Sequence, residues 1–203
     1  MIPTAVVAAP TAALMLARLG LLAALHVVPS DYSPVRHAVS DYAVGRTRRL
    51  ATTMTWVGAA AWAGLAGTVA VALPGWEHRA SATLWLLVLV AVFVALPHLP
   101  TDLEGERRTL VGTLHLLAAV AWFTISYSLT GIFDDLFAGS ALGGVLRVLH
   151  LVAVGSLACL VVALLVRRLR PHAFGVSERV FIVSVVVFHL LVTVGLLAGT
   201  PAG

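Results

Sequence analysis

The stretch SATLWLLVLVAVFVALPHLP, residues 81–100, decides the fold. It carries no Asp, Glu, Lys or Arg, and at ~1.5 Å per residue about twenty such positions cross a ~30 Å hydrocarbon layer as a helix. Its end is different in kind: His98 sits between Pro97 and Pro100, and Asp102 follows. Comparable apolar stretches lie at 4–28, 49–73, 109–131, 143–166 and 179–199, giving six expected spans that use nearly the whole chain. The expected fold is therefore all-α, a single polytopic transmembrane bundle over 1–203. Lipid offers no partner for free backbone groups, so the spans are helices. The alternation of a barrel strand is absent.

Composition agrees. Of 203 residues, 60% are hydrophobic and 11% charged, and the mean hydropathy is +1.01. A soluble domain carries far more charge. The first apolar run has no basic segment before it and is about one span long, so it reads as a helix and not as a cleaved signal. Cys159 is alone, which excludes a disulfide within the chain.

The net charge of +4 comes from 13 arginines and no lysine, the codon bias of a GC-rich genome. It does not point to nucleic acid, because the arginines flank spans. Loop one (29–48) with Arg49 holds four, loop three (101–108) two, and loop five (167–178) with Arg179 four. The opposite ends have Arg79 and Arg147. The positive-inside rule then places loops one, three and five in the cytoplasm and both termini outside. The expected location is a bacterial cytoplasmic membrane. Gly58, Ala60, Gly64 and Gly67 give the second helix a small face, with Ala60 and Gly64 at the spacing that lets helices approach closely.

Ionisable groups at membrane depth are costly and mark functional sites. They gather at the arginine-rich end. His26 and His98 close their helices, loop one carries Asp31, Tyr32, His37, Ser40, Asp41 and Tyr42, and Asp102 opens loop three. His115, Trp122 and Ser126 recur at intervals of seven and four, so they share a face of the fourth helix. Thr109 suits the N-cap of that helix. Arg18, nearly mid-helix, calls for a carboxylate partner such as Asp41 or Asp102, or for a polar cavity. The expected catalytic groups are Asp41, Asp102 and His115 with His37 and His98 in support. Arg18, His26, Tyr42, Trp56, Trp122 and Ser126 are expected to bind substrate. The bland alternatives are a solvated loop, helix caps and interhelical hydrogen bonds. No Gly-x-Ser-x-Gly, His-Glu-x-x-His or phosphate-binding glycine loop is present.

The elements His37-Ala-Val-Ser40-Asp41-Tyr42, Pro100-Thr101-Asp102 and Thr109-x-x-Gly112-x-x-His115 resemble a family of unknown function whose members are small six-helix membrane proteins of bacteria and archaea. That resemblance implies the fold and points to the same cluster, and it implies no reaction. In size, composition and buried acids the chain is also similar to small integral-membrane terpene cyclases of actinobacteria.

Three functions fit these residues. The first is a membrane enzyme using Asp and His as acid and base on a lipophilic substrate. It would cyclise an isoprenoid by protonation, with Trp56, Trp62, Trp122, Phe123 and Tyr127 facing the cation. Its variant is a lipid hydrolase, with zinc at His98, Asp102 and His115 in one form. The second is a haem-binding electron carrier using His150 with His189, and a pair among His26, His98 and His115. The third is a non-catalytic membrane protein. The expected reading is the first, without metal or haem, with a lipophilic small molecule and membrane lipid as partners and the oligomeric state open.

Overall fold

The computed structural model describes residues 3–103, 107–166 and 168–199. Within them lie six long helices: α1 (Thr4–Val27), α2 (Arg48–Ala72), α3 (Arg79–Ala95), α4 (Leu110–Asp134), α5 (Ala141–Leu165) and α6 (Arg170–Leu197). All six are long and apolar enough to cross a membrane, and among the described residues there is no strand. The chain is an all-α, multi-pass membrane bundle.

Local chemistry sets the ends. The Thr109 hydroxyl accepts the Gly112 N–H at 2.9 Å and caps α4, and the Ser140 hydroxyl accepts the Gly143 N–H at 3.0 Å and caps α5. Gly139, at φ +79°, makes the left-handed turn before that cap. Pro97 and Pro100 end α3 in a short 3-10 turn, Leu96–His98. Pro171 sits in the first turn of α6, where its missing N–H costs nothing.

The start of α6 corrects the expected span. The helix begins at Arg170, well before residue 179, so loop five is a short link. The polar residues between 170 and 178 look like a loop in sequence. They form a helix because the strongest of them, Glu178, is buried beneath loop one. Arg167 lies outside the described residues.

α6 is the centre of the bundle. It packs along α5 and α1 and also touches α2 and α4. Phe181, Val185, Phe188 and Val192 are fully buried along it. α2 lies between α1 and α3, and α4 closes the ring between α3 and α5 with the sparsest packing. The close approach of α1 and α2 runs through Gly64, where a Cβ would overlap the Thr11 hydroxyl. Ala60, its expected partner in that spacing, is exposed.

Candidate functional site

Loop one is folded into a plug at the arginine-rich end. Two 3-10 turns, Val39–Ala43 and Gly45–Thr47, give it shape. Tyr42 is buried at its heart; its hydroxyl donates to the Tyr32 carbonyl at 3.1 Å, and the Thr47 hydroxyl donates to the Tyr42 carbonyl at 2.7 Å. The Asp41 carboxylate accepts the Ala38 N–H at 2.9 Å, so it caps the first turn.

α6 fastens this plug. Glu178 Oε2 accepts the Val39 N–H at 2.7 Å. The Gly175 N–H donates to the Val35 carbonyl at 3.0 Å, and a Cβ at Gly175 would run into the Pro34 and Val35 carbonyls. Arg179 donates from Nε to His26 Nε2 at 2.6 Å, and from one terminal nitrogen to the His37 and Gly175 carbonyls at 2.9 Å each. His26 Nδ1 lies 2.6 Å from the Leu22 carbonyl. This network assigns the proton to Nδ1 and leaves Nε2 as acceptor. Three segments, α1, loop one and α6, thus meet at one guanidinium.

Loop three is fastened by the quoted Thr-x-x-Gly-x-x-His spacing. Asp102 accepts both the Thr109 N–H and the Thr109 hydroxyl at 2.8 Å. Those bonds, the backbone one first, hold its carboxyl below the usual Asp range. A Cβ at Gly112 would overlap the Asp102 carboxylate, so glycine makes the room. His115 Nδ1 lies 2.6 Å from the Leu99 carbonyl, which makes Nδ1 the donor and Nε2 the proton acceptor.

Two cavities open between these fastenings. One, of about 600 Å³, runs inward from His98 and Thr101 past His115 and Glu178 to Arg18 and Trp122. The other, of about 510 Å³, lies between α4 and α5, with Leu116, Val120, Leu157 and Leu164 on its walls and Asp41 and Asp102 at its rim. Ser40, Thr101, His115, Ala119, Phe123 and Glu178 line both. Leu116, Val120 and Leu164 are exposed, so the second cavity faces the lipid side of the bundle.

Arg18 has neither of the carboxylate partners expected for it. It is 6% exposed, and its guanidinium lies 4.5 Å from the centre of the Phe93 ring and 5.6 Å from that of Trp122. Its Nε and one terminal nitrogen are buried without a hydrogen-bond partner.

The structure therefore sorts the expected residues. Arg18, His98, His115 and Trp122 line the first cavity, and Asp41, Asp102 and His115 the second. His26, His37 and Tyr42 belong to the plug: the His37 ring accepts the Ser33 N–H at 2.8 Å. Trp56 lies edge-on to His98, at 6.3 Å, outside the lining. Ser126 is buried and donates to the Phe123 carbonyl at 3.3 Å, so the α4 stripe reaches the cavity through His115 and Trp122. Glu178, which lines both cavities, went unrecognised in the sequence because it stood in an expected loop next to Arg179.

The remaining histidines have their own surroundings. His150 bonds the Thr130 hydroxyl at 2.8 Å and stacks on Tyr127. His189 is fully buried, donates to the Val185 carbonyl at 2.8 Å and is ringed by Trp62, Phe133 and Phe188. Among the described residues no three His, Cys, Asp or Glu side chains converge as a metal site, and His98, Asp102 and His115 form no such group.

No curated protein and no solved structure matches this chain. A family model described as "Protein of unknown function (DUF998)" matches residues 6–195, from the first turn of α1 to the last turn of α6. The chain belongs to that family.

Proposed function

We propose that this protein is a membrane-embedded enzyme that performs acid–base chemistry on a lipophilic substrate held where the two cavities join. The observation that carries this reading is the shared wall. His115 and Glu178 line both the polar cavity and the lipid-facing one. A substrate lying across that junction keeps its apolar part between α4 and α5 and presents its polar part to the two groups. With Nδ1 tied to Leu99, His115 offers Nε2 as base. Glu178, on that shared wall, and the more exposed His98, on the wall of the polar cavity alone, are the other proton-transfer groups. Asp102 and Asp41, both spent on caps, are positioning residues in this reading.

Arg18 weighs on the choice of reaction. Isoprenoid cyclisation needs ring faces open to a carbocation. Here the faces of Phe93 and Trp122 are taken by a guanidinium, whose charge also opposes a second cation. The likeness to terpene cyclases in size and composition has no counterpart in the comparisons. Proton transfer at an ester, amide or other polar group of a lipid suits the site better. In hydrolysis, His115 Nε2 takes a proton from water, the water oxygen bonds the acyl carbon, the acyl carbon–oxygen or carbon–nitrogen bond breaks, and the leaving atom takes the proton back from His115 Nε2.

The test compares the lipids of host cells lacking the protein and cells expressing the wild type, His115→Ala or Glu178→Gln. Glutamine keeps an acceptor for the Val39 N–H, so the plug stays closed. The reading expects a lipid species to fall and another to rise with the wild type, and neither to change with folded variants. Identical lipid changes with wild type and both variants would defeat it.

A further inference from the structure

We infer that the inner end of the polar cavity is an anion receptor: Arg18 takes the carboxylate or phosphate of a single-chain amphiphile that reaches it through the bundle. The inference deepens the functional reading above and rests on it, since it names the class of molecule the cavity takes.

Arg18 lies about two and a half turns, or ~13 Å, inside the arginine-rich end of α1. A guanidinium at that depth without a counter-charge is costly, and in membrane proteins such groups pair or face a cavity. Here the side chain lines the cavity and is 6% exposed, and its Nε and one terminal nitrogen are buried behind that lining without a hydrogen-bond partner. The ring faces of Phe93 and Trp122 hold it from the side. They satisfy its charge in part and leave Nε and one terminal nitrogen without an acceptor, on a group whose planar fork suits an oxyanion. The Trp122 N–H is likewise buried without a partner, on a residue that lines the same cavity.

The space for this side chain is built into α2. A Cβ at Gly58 would overlap the Arg18 terminal nitrogen and press on the Phe93 ring. The carboxylate that lines the same cavity, Glu178, already accepts the Val39 N–H and stands 3.8 Å from Arg179. The cavity is thus cationic at its inner end. The joined, lipid-facing cavity between α4 and α5 supplies aliphatic walls. An anionic group joined to an alkyl chain matches both halves, whereas a free inorganic anion matches one.

The test uses the full chain in detergent or nanodiscs. Binding is followed by quenching of tryptophan fluorescence, with myristate, tetradecyl phosphate, 1-tetradecanol and inorganic phosphate as probes. One charged hydrogen-bonded pair in a desolvated site is worth roughly 1.5–3 kcal/mol, or about 10- to 150-fold in affinity. Myristate or tetradecyl phosphate should therefore bind wild type at least about tenfold tighter than the alcohol. Arg18→Gln should erase that preference, and Arg18→Lys should keep part of it. Gly58→Ala, which displaces the guanidinium, should weaken the anionic probes selectively. Equal affinity of wild type for anionic amphiphile and alcohol overturns this inference and leaves the lipophile-binding reading standing. Binding of none of the chain-bearing probes overturns both. Inorganic phosphate binding as tightly as tetradecyl phosphate overturns the amphiphile assignment. The comparison of probes on wild type holds even where a variant fails to fold.

Discussion

Glu178→Ala should unlock the loop-one plug. The Val39 N–H is buried and donates to Glu178 Oε2 at 2.7 Å. Alanine leaves that donor without a partner and also removes the carboxylate 3.8 Å from Arg179. A buried hydrogen bond to a charged group contributes about 1.5–3 kcal/mol, and the lost partner leaves a desolvated N–H behind. Taking about 2–3 kcal/mol, the equilibrium for local opening of the plug rises roughly 30- to 150-fold. Glu178→Gln keeps a carbonyl acceptor in the same place and should stay within a few-fold of wild type. The assay is hydrogen exchange with mass spectrometry on micelle-embedded protein. Peptides spanning 38–44 should exchange faster by that factor in the alanine variant, while peptides from the middle of α3 and α5 keep wild-type protection. Unchanged exchange at 38–44 would show that Glu178 does not hold the plug. A uniform loss across all helices would show that it holds the whole fold instead.

Three further outcomes follow from the loops. Gly112→Ala should push the Asp102 carboxylate away from Thr109 and weaken the α4 cap by about 1 kcal/mol, read as roughly five-fold faster exchange of the 109–113 amides. The Thr109 bonds hold the Asp102 carboxyl below its usual range, so its contribution is present above the ordinary carboxylate range and is lost as pH falls through the lowered folded value. Protection of the Thr109 amide should therefore fall only on the acid side of normal Asp titration, and Asp102→Asn should flatten that dependence. Gly175→Val should force loop one off α6, because its side chain meets the Pro34 and Val35 carbonyls; trypsin should then cleave at Arg36 faster than in wild type.

Much of the architecture was legible in the sequence, and the reasons are specific. A stretch such as 81–100 has one physical solution in lipid, and the caps at Thr109 and the stop at Pro97 follow from backbone chemistry. α6 was misjudged at its start because burial of Glu178 depends on loop one folding over it, a contact across 139 positions of chain. The same long-range contact hid Glu178 from the candidate site. The short motifs pointed to the right end of the molecule, but spacing alone does not separate a catalytic Asp from a capping one. Asp102 and Asp41 show their roles through partners at 2.8 and 2.9 Å. Arg18 was legible as an anomaly. Its aromatic neighbours come from α3 and α4, and no local pattern announces them.

For the proposed chemistry, a lipophilic molecule must reach His115 and Glu178 through the cavity between α4 and α5. A photoactivatable diazirine analogue of myristate, crosslinked in nanodiscs and mapped by peptide mass spectrometry, tests it most directly. Labels are expected on Ala119, Phe123 and Leu157, which line that cavity, and should be lost on competition with unlabelled myristate. Labels confined to outward residues such as Val148 and Leu151, unaffected by competitor, would contradict it.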